Sequence, residues 1–222
     1  MRSILDLQRH RRLWGEKHTA RSDLHPARDQ ECGILKVRRN PMVSRRLTPT
    51  EQAEAWTVFG DAVDYARVRV YEDAAWTNAL PRLHARLARR PAPTADNAVT
   101  LGHRVSFPRR LDSAVEAIAA GRFADFGWLM HELTHAWQAE RLGVCYLLQA
   151  LKAQARLGER VYDYGGEEAL RRATEAGLGL RGFNVEQQAE IARDLYMRRR
   201  HGLDVSAWTP FAAELARALP PP

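Results

Sequence analysis

Residues 128–138 read WLMHELTHAWQ, and this stretch holds two histidines and a glutamate at a spacing that suits a helix. An α-helix turns about 100° per residue, so His131 and His135 project from the same face, one turn apart. Glu132 directly follows the first histidine, which places its carboxylate at the rim of that face. Two imidazoles beside a carboxylate can bind a divalent metal ion and move a proton next to it. The stretch therefore predicts a helix that carries a metal site.

The pattern H-E-x-x-H is typical of zinc peptidases, in which the histidines bind the metal and the glutamate handles protons. We therefore predict His131 and His135 as ligands of Zn²⁺ and Glu132 as the catalytic general base. Water beside the zinc would lose a proton to Glu132, which would later pass it to the leaving amine of a peptide bond. The pattern thus favours a zinc-dependent metallopeptidase.

Catalytic zinc usually has three protein ligands, so a further residue must complete this set. The extended pattern H-E-x-x-H-x-x-G-x-x-H is excluded, because Gln138 and Arg141 stand where it requires glycine and histidine. A glutamate on a second helix, packed against the first, is the other common arrangement. We therefore expect a second long helix that brings a carboxylate to the two histidines.

The segment NVEQQAEIARDLYMRRRHG (184–202) predicts that second helix. Glu186, Glu190 and Asp194 follow one another at intervals of four, so they lie on one face, where bare carboxylates would repel each other. We predict Glu186 as the third metal ligand and Glu190 as the acceptor of a hydrogen bond from a ligating histidine's other ring nitrogen. Two alternatives stay open, a solvated acidic stripe and Asp163 as the third ligand.

Several short segments together resemble a known family. The segment from Glu186 to Glu190, EQQAE, is similar to the E-x-x-A-D/E element of gluzincins, the zincin branch with two histidines and a downstream glutamate. The combination of VFGDAVDYARVRVYE, HELTHAWQ, YDYG and EQQAEI resembles short bacterial proteins related to Vgr and Rhs proteins and associated with type VI secretion. The resemblance covers roughly residues 46–200. It implies a gluzincin-type, zincin-like metallopeptidase domain, with secretion-system components and a peptide or protein substrate as partners.

The rest of the chain predicts an α+β fold that is mostly helical with a small β-sheet. The resemblance implies that this is a zincin-like domain with two long active-site helices. Apolar alternation predicts strands at 66–72 and 99–107, and the second is a candidate edge strand for a bound peptide. Helical patterns occupy the remaining periodic segments, which are 49–63, 76–90, 111–120, 123–157, 167–177 and 184–201.

Charge divides the chain into unequal parts. Residues 1–48 hold 12 Lys and Arg against 5 Asp and Glu, whereas residues 49–222 hold 22 of each, so the net charge of +7 belongs to the N-terminal segment. We predict three regions. They are a basic, poorly ordered leader (1–47), a zincin-like domain (48–202) and a C-terminal tail with a short helix (203–222).

The cellular location is predicted from what the chain carries. Cys32 and Cys145 are far apart and form no C-x-x-C pair, which fits a reducing cytosol and argues against a cysteine zinc site. The apolar runs are too short to span a membrane, and no apolar segment of a signal peptide follows the N-terminus. We therefore expect a protein made in the cytoplasm, and the resemblance implies export by a type VI secretion system.

A peptidase also needs a donor that polarises the substrate carbonyl, and four side chains are candidates. We assign this catalytic role to Tyr164. The strand histidine, His103, is interpreted as a packed or solvated residue and not as a ligand. The other candidate donors are Tyr162, Tyr196 and His201.

Three classes of function are compatible with these features. The first is a zinc endopeptidase, either a secreted toxin or a processing enzyme of a secretion system. The second is a catalytically weak zincin-fold scaffold or adaptor. The third is a nucleic-acid-binding protein that works through the basic leader, and the balanced charge of residues 49–222 and the lack of a recognised reader motif argue against it.

Overall fold

Helices outnumber strands in the computed structural model, which describes residues 42–79, 82, 86, 89, 96–143, 145–146 and 158–218. The strands of these residues are β1 (Val43–Arg45), β2 (Arg69–Glu72), β3 (Val99–Leu101) and β4 (Arg104–Ser106). Their α-helices are α1 (Pro49–Phe59), α2 (Val115–Ala119), α3 (Ala124–Leu142), α4 (Gly166–Glu175), α5 (Val185–Arg200) and α6 (Thr209–Leu215). The predicted mixture of many helices with a small sheet is confirmed.

The four strands form one sheet in the order β1-β2-β4-β3. The β2–β4 pair is parallel, and the two outer pairs are antiparallel. Val70 and Val105 are paired across the centre, and both are fully buried. The sheet packs on α3 through β3 and β4. The predicted strand at 66–72 is confirmed in its second half, where β2 lies.

The stretch 99–107 is a hairpin, so the prediction of one continuous strand is wrong. Gly102 has a φ of 61°, which glycine adopts without strain, and the chain reverses between β3 and β4. The reversal places Thr100 opposite Val105, and both side chains are buried. A single strand would have put these two side chains on opposite faces of the sheet. The strand β3 is an edge of the sheet, as a peptide-binding strand requires.

The folded region begins earlier than the predicted boundary at residue 48. The strand β1 starts at Val43, and Leu47 is buried in the core. Thr48 then caps α1, because its side chain accepts from the backbone N–H of Glu51, whose carboxylate accepts from the N–H of Thr48. The helix ends at Phe59, ahead of the predicted end at 63. Most of the predicted leader, residues 1–41, lies outside the described residues.

The helices α3 and α5 are the two long helices of the predicted site, and they pack against each other along their length. A Cβ at Gly127 would come within 2.9 Å of Met197 Sδ, so the glycine permits close approach of the two helices. The helix α3 ends at Leu142, where Gly143 takes a φ of 59°. The prediction of a helix running through Gly143 is therefore wrong, and residues 147–157 lie outside the described part.

The C-terminal segment contains the predicted short helix, α6, but it does not behave as a separate tail. Trp208, Phe211 and Leu215 are buried in the same core as α3 and α5. The predicted helices at 111–120 and 167–177 are confirmed as α2 and α4, with shorter bounds. Of the helix predicted at 76–90, a 3₁₀ turn at Ala75–Asn78 is described, and most of the remainder lies outside the described residues.

Candidate metal centre

The predicted metal ligands meet in the interior, where α3 packs on the start of α5. His131 Nε2 lies 3.4 Å from Glu186 Oε2, and His135 Nε2 lies 3.3 Å from the same oxygen. The ligand atoms of these three residues all lie within 4.8 Å of one another. All three residues are buried. Two imidazole nitrogens and one carboxylate oxygen could therefore hold a metal ion here.

The other ring nitrogen of each histidine is held by a separate side chain. His131 Nδ1 lies 3.0 Å from Glu190 Oε1, which is the contact predicted for Glu190. His135 Nδ1 lies 2.8 Å from Gln138 Oε1. With Nδ1 engaged in this way, each imidazole presents Nε2 towards Glu186, and its ring orientation is restricted. We call His131, His135, Glu186 and Glu190 the His–Glu cluster.

Gln138 contacts the candidate site, which the sequence analysis did not predict. Besides accepting from His135, its side-chain amide donates to the carbonyl of Val185 at 2.8 Å and to Gln188 Oε1 at 3.0 Å. The residue thus links the second histidine to the first turn of α5. Its spacing of three residues from His135 was an available signal, since residues at that spacing are neighbours on a helix.

The capping of α5 places Glu186 at the cluster. Asn184 accepts hydrogen bonds from the backbone N–H groups of Glu186 and Gln187, and Gln187 Oε1 accepts from the backbone N–H of Asn184. Asn184 also donates to the carbonyl of Val161. The start of the helix is therefore defined by its own sequence, and Glu186 lies in its first turn, where the helix dipole favours a carboxylate.

The two histidines of the cluster hold their protons strongly. Burial by itself would lower the pKa of His131, but hydrogen bonds to Glu186 and Glu190 outweigh it and raise the pKa to about 10. Burial would likewise lower the pKa of His135, and its bond to Glu186 raises it. The pKa of Glu186 moves in the opposite direction, because its bonds to both histidines outweigh burial and lower it. Since metals and protons compete for the same nitrogen atoms, a divalent cation is a chemically suitable replacement for these protons.

Glu132 lies beside the cluster without joining the ligand set. Its side chain is buried, and Oε2 accepts a hydrogen bond from Thr100 Oγ1 at 2.7 Å. The carboxylate that lies close to the histidine nitrogens is that of Glu186. The position of Glu132 is therefore compatible with a group that handles protons next to a metal.

The structure brings one of the four candidate donors close to the histidines. The ring of Tyr162 has its centroid 6.1 Å from that of His131. Burial raises the pKa of Tyr162, and so do the nearby charges of Glu186, Glu132 and Glu190. Its hydroxyl therefore stays protonated next to the cluster.

Tyr164, the donor chosen from the sequence, has a different partner. Its hydroxyl donates to Asp194 Oδ2 at 2.6 Å, and its side chain is buried. Asp194 lies two turns beyond Glu186 on α5, which is roughly 12 Å along the helix axis. The catalytic role of Tyr164 stays a prediction. Its observed hydrogen bond links the segment before α4 to α5.

The remaining candidates are directed elsewhere. Tyr196 donates to Glu54 Oε2 at 2.7 Å in the core, and His201 is exposed at the C-terminal end of α5. Asp163 is exposed and accepts the backbone N–H of Gly165, so it does not join the ligand group. His103 is half-buried and pairs with Glu140 at 2.8 Å, as expected for a packed histidine.

Much of this chain is similar in sequence to a type VI secretion protein. The chain is 28% identical over 177 residues to the type VI secretion system spike protein VgrG2b of Pseudomonas aeruginosa. The aligned region covers 77% of this chain and 15% of that protein. The chain thus spans a small fraction of its relative's length. No protein-family model matches it, and no solved structure matches it. Among the described helices, none is both long and apolar enough to cross a membrane. The similarity supports the predicted link to Vgr-related proteins of type VI secretion.

Proposed function

We propose that this protein is a zinc-dependent metallopeptidase that hydrolyses peptide bonds. The observation that carries the proposal is the convergence of two histidine Nε2 atoms on one buried carboxylate, 3.3 and 3.4 Å away, with Glu132 beside them. Open catalytic zinc sites use three protein ligands of this kind. The donor set therefore fits zinc, with His131, His135 and Glu186 as the residues that would hold it.

The hydrogen bonds around the ligands support this choice of metal. Glu190 and Gln138 each take the Nδ1 position of one histidine, at 3.0 and 2.8 Å. Such partners fix the tautomer and the ring orientation of ligating histidines and increase their basicity. When bound, zinc supplies a Lewis acid that lowers the pKa of a neighbouring water and polarises a carbonyl group.

The chain's own residues supply the proton transfers. Glu132 accepts the proton of the attacking water and later delivers it to the amine nitrogen as the peptide bond breaks. Thr100 holds one oxygen of its carboxylate, 2.7 Å away. Tyr162 donates its hydroxyl proton in a hydrogen bond to the carbonyl oxygen as negative charge develops there, a task for which a protonated tyrosine beside the cluster is suited. Tyr164, whose hydroxyl is bonded to Asp194, is the alternative donor.

The relative named above suggests where such an enzyme would act. Because VgrG2b is a spike protein of type VI secretion, we propose that this chain is made in the cytoplasm and works with that machinery, as an exported effector or as a processing protease. Secretion-system components of the Vgr type are then its partners, together with a peptide or protein substrate. A zincin-fold scaffold of the same machinery, with weak or no catalysis, is the alternative that the experiment must separate.

The test compares two isosteric substitutions in zinc-loaded protein. Glu132→Gln removes the base and keeps the shape, whereas Glu168→Gln changes an exposed residue of α4 and serves as the control. The rate of cleavage of a broad peptide library should fall about 10²- to 10⁴-fold in the first variant and stay unchanged in the second. Both should retain zinc by elemental analysis. A wild-type protein that cleaves nothing, or a Glu132→Gln variant as active as wild type, would leave the scaffold as the better explanation.

A further inference from the structure

The edge strand β3 places one buried hydroxyl on the carboxylate of Glu132. Thr100 Oγ1 lies 2.7 Å from Glu132 Oε2 and 3.3 Å from the backbone carbonyl oxygen of the same residue. A threonine hydroxyl has a single proton, and the shorter contact leads to the charged oxygen. Thr100 therefore donates to the carboxylate. The residue is 6% exposed, so water competes little for this bond.

The same carboxylate has a second oxygen in a different situation. Among the described residues, none makes a hydrogen bond to Glu132 Oε1. One oxygen is thus held by the strand, and the other is left for exchange with a reacting group. A glutamate has three rotatable side-chain bonds, and a proton-transfer group must be held in a narrow range of positions to be effective. The bond from Thr100 supplies this restriction.

Tyr146 holds the strand that carries Thr100. Its hydroxyl donates to the backbone carbonyl of Thr100 at 2.9 Å and accepts from the backbone N–H of Gly102 at 3.0 Å. Its ring stacks against His135, with 6.4 Å between centroids and 26° between the planes. The tyrosine therefore connects β3 to the face of α3 that bears the cluster. A chain of hydrogen bonds runs from Gly102 through Tyr146 and Thr100 to Glu132.

We propose that Thr100 is a positioning residue for Glu132, and that Tyr146 fixes β3 so that the hydroxyl of Thr100 meets the carboxylate. This inference rests on the proposed function, since it assigns how the base of that reaction is held. The hydrogen bonds of Thr100 lead to Glu132 and Tyr146 and not to a proposed metal ligand, so we expect loss of its hydroxyl to affect the base and not metal retention. The strand thus has a role in catalysis that is separate from peptide binding along its edge.

The first experiment separates the hydroxyl of Thr100 from its shape. Thr100→Val removes the hydroxyl at nearly constant volume, and Thr100→Ser keeps it. In zinc-loaded protein we expect kcat to fall about 10- to 100-fold in the valine variant, at unchanged KM and zinc content, because a misplaced base loses that much rate. The serine variant should recover most of the loss. Equal kcat in wild type and Thr100→Val, or a serine variant as slow as the valine variant, would overturn the proposal.

A second experiment does not depend on turnover and remains decisive if Thr100→Val fails to fold. In metal-free and zinc-loaded wild-type protein, the hydroxyl proton of Thr100 should exchange slowly enough for detection by NMR and show a cross-peak to the side chain of Glu132. Tyr146→Phe should weaken the protection, and Glu132→Ala should abolish it. A Thr100 hydroxyl that exchanges as fast in wild type as in Glu132→Ala would overturn the proposal. If peptide cleavage is absent while this bond is present, the proposed peptidase activity fails, and the positioning of Glu132 stands.

Discussion

Two regions of this protein bury carboxylates, and the carboxylates have different partners in each region. The His–Glu cluster pairs Glu186 and Glu190 with imidazoles of His131 and His135. At the first strand, Glu51 and Glu72 are instead paired with the guanidinium of Arg45. We call Arg45, Glu51, Glu72 and Ser113 the Arg45 network. An imidazole can exchange its proton for a metal ion, whereas an arginine stays charged at any pH that proteins encounter.

The Arg45 network is complete within the protein. The guanidinium of Arg45 binds Glu51 with contacts of 2.7 and 2.8 Å and Glu72 at 2.8 Å. Ser113 adds a hydroxyl to Glu51 at 2.6 Å, and the N–H of Leu111 donates to Glu72 at 3.0 Å. Burial opposes the charge on Arg45, but the two glutamates raise its pKa overall. This network therefore joins β1, β2 and α1 as a structural element.

The comparison shows that buried carboxylates can be held by a permanent cation in one place and by titratable rings in another. What differs is the partner. A permanent cation with saturated hydrogen bonds leaves nothing to exchange, while two titratable rings that converge on one carboxylate oxygen form an exchangeable site. The distinction yields four expectations, in which one region should respond and the other should not.

The largest expected effect is loss of the metal. His131→Ala or His135→Ala should reduce zinc from about one per chain to background, because an open site with two remaining ligands holds zinc poorly. Arg45→Met should retain full zinc. Elemental analysis after zinc loading and dialysis measures both. Wild-type protein that stays metal-free after loading at neutral pH would refute the metal site altogether.

The next effect is a difference in zinc affinity between variants of the residues at the site. Glu186→Ala should weaken zinc binding far more than Glu190→Ala or Gln138→Ala, since the first removes a ligand and the others remove orienting bonds worth about 10- to 100-fold. Competition with a chromophoric chelator gives the affinities. Asp163→Ala is the control and should bind as wild type does. If Asp163→Ala matched Glu186→Ala while Glu186→Gln had no effect, the ligand assignment would be wrong.

The third effect concerns stability in the Arg45 network. Arg45→Met leaves two buried glutamates without their cation, which should cost about 3 kcal/mol in the free energy of unfolding, the lower end of the range for broken buried pairs. The side chain of Arg45 is 23% exposed, which is why we expect the lower end. Urea unfolding of metal-free protein measures it. An unchanged midpoint would mean that water compensates the glutamates and that the network is dispensable.

The smallest effect is a pH dependence that separates the two regions. The pKa of His131 is raised to about 10 in the folded state, so its contribution is complete below 6.5 and is lost as pH rises towards 10. The pKa of Glu186 is lowered, so its contribution is complete above 4.5 and is lost as pH falls. Metal-free protein should therefore be most stable between pH 4.5 and 6.5. Urea midpoints across pH measure this, and His131→Ala should flatten the alkaline decline while Arg45→Met should preserve it.

Much of the site could be predicted from local sequence. The spacing of His131 and His135 places both rings on one face of any helix, and the four-residue intervals from Glu186 do the same on the second helix. The cap at Asn184 and the cap at Thr48 were also readable, because their partners lie two or three residues away. The hairpin at Gly102 was missed, because the apolar residues at 101, 105 and 107 fit the alternation of a single strand. A two-residue turn instead places Thr100 and Val105 on the same face.

The sequence by itself determined which residues could bind a metal ion, because the spacing of residues along a helix sets the direction of their side chains without help from the rest of the fold. Only the tertiary structure decided which residues orient them. Thr100 reaches Glu132 and Gln138 reaches Val185 across separations of 32 and 47 residues, and Tyr162 rather than Tyr164 lies beside His131. Such contacts depend on how α3, α5 and β3 pack, and packing is set by many apolar contacts distributed along the chain, none of which has a local signature.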